Sequence, residues 1–92
     1  METLKIVIKK IYFDKIASGE KKIEYREIKP FWQSRLYDAN GKKRNYDNIE
    51  FINGYNADAK RMITKFEGFF IKDNEYNIKV GKIIKKPLKN PI

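Results

Sequence analysis

The chain of 92 residues contains neither cysteine nor histidine. The first absence excludes disulfides, and the two together exclude a zinc site built from Cys and His. Without histidine there is no Ser-His-Asp triad and no histidine general base. Any catalysis falls to Lys, Arg, Asp, Glu, Tyr, Ser, Thr or the backbone. No apolar run is long enough for a secretory signal or a membrane span, so the expectation is a cytoplasmic protein without a membrane partner. No metal and no cofactor are implied. Proline is scarce, and two of its three occurrences, Pro87 and Pro91, mark the end of regular structure.

What the chain has in excess is positive charge. Twenty-one basic residues against 12 acidic ones leave a net charge of +9. An excess of this size suits a polyanionic partner, which can be nucleic acid, a nucleotide or an anionic membrane, while composition alone leans to a solvated lysine-rich surface. The stretch from Tyr76 onward carries Lys79, Lys82, Lys85, Lys86 and Lys89 without an acid. Its end, about residues 85–92, reads as a basic tail that either tracks a phosphate backbone or keeps the terminus soluble. The length corresponds to one domain, residues 1–92, which buries about two thirds of the surface its unfolded chain exposes. Six Phe, six Tyr and Trp32 supply large pieces for a small core.

Periodicity places the elements. Leu4 to Lys9 reads as a strand, and Lys10 to Ser18 as a short helix with Phe13 and Ile16, and Tyr12 nearby, on one side. Gly19 stands where a helix end requires a left-handed residue. Lys21 to Ile28 alternates as a second strand. Pro30 opens a second helix that packs Phe31, Trp32 and Leu36. Asn40-Gly41 is a turn signal with a basic tip. A third strand runs from about Tyr46 to Asn53, and a fourth from Arg61 to Phe66, with Gly68 and a separate apolar piece after it. Asp73-Asn74 turns into a fifth strand from Tyr76 to about Ile84. Strands throughout with helices only in the first half predict an α+β domain whose sheet is closed or nearly closed, since closure removes exposed edges.

Gly19 to Ile28 is the most informative segment. Alternation places Glu24 and Arg26 on one face of the second strand, with Ile23 and Tyr25 as an apolar backing on the other. Lys21 is a point charge on a flexible stem, and Arg26 offers a planar fork suited to phosphate or carboxylate. Glu24 can orient either cation or accept from the amino edge of a base. Lys21 and Glu24 are the candidate catalytic residues, each a candidate general base. The structural alternative is an exposed strand pair worth about 0–1 kcal/mol. Asn53 and Tyr55, after the third strand, are candidates to hydrogen-bond and stack on a base, or else a turn and a packing ring. Arg61 and the cluster Lys42, Lys43 and Arg44 are candidate phosphate contacts. Trp32 is read as core, with cleft lining as the alternative.

Gly19-x-Lys21-x-x-Glu24-x-Arg26 resembles the G-x-K-x-x-E-x-R signature of the ASCH domain family, a branch of the PUA-like superfamily. The strand and helix before it, and Phe51 to Tyr55 followed by Arg61 to Ile63, are similar to small phage and bacterial members. The resemblance implies a mixed β pseudo-barrel of about five to six strands with short flanking helices. It implies a cleft between helix and barrel, and binding of RNA or a nucleotide through Lys21, Glu24 and Arg26. A bacterial relative is an amidohydrolase acting on acetylated cytidine, with lysine at the place of Lys21 and threonine at the place of Glu24. Hydrolysis of a modified nucleoside and ribonuclease activity are therefore the alternative expectations. A third is an accessory factor that binds a protein partner.

Overall fold

Leu4, Ile6 and Ile8 alternate with Lys5 and Val7, and this alternation produces the first strand, β1 (Thr3–Ile8), with the former three turned into the core. The computed structural model describes residues 2–87, so Lys89 and Pro91 of the basic tail lie outside the described residues. Helix α1 (Lys10–Ala17) buries Phe13 and Ile16. Gly19 terminates it at φ +84°, as its position required. Strand β2 (Ile23–Glu27) and helix α2 (Pro30–Leu36) follow. In α2, Trp32 and Leu36 are one turn apart and share the inward face. Phe31, expected to pack, is displaced from that face and is 54% exposed, with the Arg35 guanidinium 3.6 Å above its ring.

Strands β3 (Asn48–Asn53), β4 (Arg61–Lys72) and β5 (Glu75–Lys85) complete the sheet. Its order is β1-β3-β4-β5-β2, with β1 and β3 parallel and every other pair antiparallel. Gly68 does not break the fourth strand. At φ +90° it lies within one continuous strand whose register against β5 slips between Ile63 and Phe69. Such irregularities bend a strand instead of ending it. Asp73 and Asn74, both at positive φ, form the two-residue turn between β4 and β5.

The bent sheet is a half-barrel, so the domain is α+β with five strands and two helices. Closure stops short: β1 and β2 are the two edges, and no ladder joins them. The core fills the concave side with Ile49 and Phe51 of β3, Met62 and Phe66 of β4, and Tyr76 and Ile78 of β5. No described helix is long and apolar enough to cross a membrane.

Tyr76 is buried among the rings of Tyr37 and Phe69. Burial, then the neighbouring Tyr37, push its phenol above the ordinary value, against a hydrogen bond from Gln33 that lowers it. The unfolded chain therefore loses this proton first. The resulting stabilisation is complete below about pH 10 and declines as pH rises through the folded value. Urea midpoints should fall across that alkaline range, and Tyr76→Phe should flatten the fall. Identical alkaline profiles for both proteins would contradict this assignment.

Candidate functional site

The ladder between β2 and β5 decides which way the motif faces. Glu24 lies opposite Ile78 and Arg26 opposite Tyr76, both core residues. Cross-strand partners share a face, so Glu24 and Arg26 project into the concave side. Glu24 is 5% exposed. Tyr25, expected as part of an apolar backing, is 48% exposed, and Ile23 is only half-buried. The expected faces are thus exchanged: the charged pair takes the inner position and the tyrosine the outer one.

Glu24 is held from several sides. Its Oε2 accepts from Arg26 Nη2 at 2.7 Å, and its Oε1 accepts from the Tyr25 backbone N–H at 3.1 Å. Lys21 Nζ lies 3.4 Å from Oε1. The Gly19 turn delivers this lysine, whose own N–H donates to Lys15 O at 3.0 Å. Its ammonium stands 5.4 Å from the ring centre of Tyr12 and 5.0 Å from that of Tyr25, within cation–π range. Arg26 stands 5.1 Å over Trp32, which backs the guanidinium from the core side. Arg26 Nη2 also donates to Val7 O at 3.2 Å. That bond links β2 to β1 across the open seam of the half-barrel, where no strand ladder does so. Arg26 Nε is buried without a hydrogen-bond partner among the described residues.

A cleft of about 460 Å³ opens at this seam. Val7, Ile8 and Lys9 form one wall, and Glu24, Tyr25 and Arg26 the other. Tyr12 of α1 lies beside them. Gly54 and Tyr55 cover one end. Gly54 adopts φ +86° and donates its N–H to Ile8 O at 3.1 Å, which ties the end of β3 to the end of β1. Tyr55 is thereby carried to the cleft at 92% exposure, and Tyr12 is 44% exposed. Three tyrosines with accessible rings therefore converge on one hollow with a guanidinium and a carboxylate. At the end of β2, Lys29 hydrogen-bonds Glu27 at 2.6 Å, which lowers the carboxyl and raises the amine.

The remaining candidates are dispersed. Lys21 touches Glu24 but lies outside the cleft's lining. Asn53 donates its backbone N–H to Lys60 O and does not line the cleft either. Arg61 pairs with Glu50 at 3.1 Å. Lys43 donates to Phe69 O at 2.9 Å, which ties the α2–β3 loop to β4, and Arg44 donates to Tyr37 O at 3.2 Å, which closes the loop on itself. Lys42 is exposed at the turn that Asp38 organises through the N–H groups of Asn40 and Lys42. Sequence reasoning missed Lys9 and Tyr12 as cleft residues. Tyr12 had one signal, since it is adjacent to Phe13 on a helix too short to bury both. Compared with known protein families, with curated proteins and with solved structures, the chain finds no match in any of the three.

Proposed function

We propose that the seam cleft binds RNA through a single nucleotide unit, and that the chain is an ASCH-type member of the PUA-like superfamily acting in the cytoplasm. The convergence of Tyr12, Tyr25 and Tyr55 with Arg26 and Glu24 carries this reading. A base has a π-face that stacks on an exposed ring, and a guanidinium suits its phosphate. A hollow of 460 Å³ is of the size that small ligands occupy. Glu24 has about four lone-pair sites, of which Arg26 and the Tyr25 N–H engage two while the Lys21 ammonium stands nearby, so acceptor capacity remains for an exocyclic amine. The G-x-K-x-x-E-x-R spacing supports the family reading independently. Binding is favoured over hydrolysis because the candidate catalytic residues, Lys21 and Glu24, are committed to each other and Lys21 lies outside the cleft.

Titration of a fluorescent short RNA tests the proposal. The binding constant should fall with salt, with a log–log slope of about −0.7 for each phosphate neutralised. Tyr55→Ala should weaken binding by about 1–3 kcal/mol, the value of one stacked base. At 92% exposure the Tyr55 ring contributes little to the fold, so that loss reports on binding. No binding at low salt, or full affinity in Tyr55→Ala, would remove the support for this reading.

A further inference from the structure

We infer that the ligand is a single-stranded oligonucleotide whose phosphates continue from the tyrosine cleft along a lysine track over the Gly19 turn. The inference rests on the nucleotide-binding reading of the cleft and extends it to the length and path of the ligand. Three hollows share walls in succession. The cleft shares Tyr12 and Tyr25 with a second hollow of about 490 Å³, which adds Lys15, Lys21 and Lys22 beside Glu20. That hollow shares Lys21 and Lys22 with a third, of about 330 Å³, which adds Lys82 of β5. Gly19 and Gly81 line this last hollow, and the Glu67 carboxylate lies against Gly81. The Val80 N–H donates to Lys22 O at 2.9 Å, so the backbone bearing Lys22 is fixed against the strand that carries Lys82.

Unpaired lysines occur elsewhere on the surface too; those of this track are distinguished by lining adjoining hollows. Arg61, Lys43 and Arg44 are engaged in an ion pair or in bonds to backbone carbonyls. Lys15, Lys22 and Lys82 form no ion pair among the described residues. Lys15, Lys22 and Lys82, unpaired along adjoining hollows, outnumber the nearby carboxylates of Glu20 and Glu67, and their excess favours a chain of phosphates. Rings at one end and unpaired lysines at the other match a strand that stacks its bases first and lays its backbone down afterwards. A mononucleotide would leave the second and third hollows unused.

The test is fluorescence anisotropy with oligouridylates from one to about eight nucleotides. It compares the unmodified protein with a Lys22→Ala, Lys82→Ala double variant. Both lysines are exposed, so equal urea midpoints should show that the fold is intact. The unmodified protein should gain affinity about tenfold between one and about four nucleotides. Its salt slope for the longer ligands should exceed that of the double variant by about 1.4, the contribution of two phosphates on a single strand. In the double variant the dependence on length should flatten. Mononucleotide binding without any gain from length would overturn the lysine track and leave the cleft reading standing. A double variant that keeps the full gain would do the same. Failure of every length to bind would overturn both.

Discussion

Glu24→Ala should destabilise the domain by about 3 kcal/mol, measured by urea unfolding. The carboxylate is buried between two cations, 2.7 Å from Arg26 Nη2 and 3.4 Å from Lys21 Nζ. Removing one partner of a buried ionic cluster leaves the others uncompensated, which costs about 3–5 kcal/mol. The lower end applies because the Arg26 side chain is a quarter exposed and water can reach part of the site. Two like charges would then face each other across the vacated position, and the Tyr25 N–H would lose its acceptor. Glu24→Gln should cost less than Glu24→Ala, because the amide oxygen still accepts one bond while the charge is lost. A small domain has a total stability near the lower end of about 5–15 kcal/mol, so the alanine variant should be visibly less stable at ambient temperature. A loss below about 1 kcal/mol would mean that the pair behaves as an ordinary surface contact.

Arg26→Ala should weaken the proposed RNA binding by about 2–3 kcal/mol, a loss of about 30- to 150-fold. The guanidinium bonds both edges of the half-barrel, Glu24 on β2 and Val7 O on β1. Its loss removes the proposed anion contact in the cleft and the observed bond that spans the seam. Stability should therefore fall as well, by about 3 kcal/mol, because the buried Glu24 carboxylate keeps only Lys21 as a cation and Val7 O loses its donor. Arg26→Lys separates the two effects. It keeps a charge but not the fork, so it should recover part of the phosphate attraction and little of the simultaneous contact with both strands. Full RNA affinity in Arg26→Ala, measured where the variant is folded, would remove Arg26 from the ligand site.

The alternation of Glu24 and Arg26 with Tyr25 was legible, because a strand has a period of two whatever surrounds it. Which face turns inward was not, because that depends on the register with β5, some fifty residues later in the chain. Polarity suggested that the ions would sit on the outside over apolar support. The ladder instead pairs them with Ile78 and Tyr76. In β4, Gly68 looked like an ending by propensity, whereas cross-strand bonding to β5 carries the chain through it as an irregularity.

Local chemistry was written in the residues themselves. The left-handed stop at Gly19, Pro30 at a helix start, the Asp73-Asn74 turn and the closeness of Lys21, Glu24 and Arg26 each depend on a few neighbouring atoms. The cleft did not follow from them, because its walls come from segments that meet only when β1 and β2 become opposite edges of one bent sheet. Tyr12, Tyr25 and Tyr55 are brought together by that curvature and by the Gly54 bond to Ile8. Short-range sterics settle where a chain turns; long-range pairing settles what the turns bring face to face.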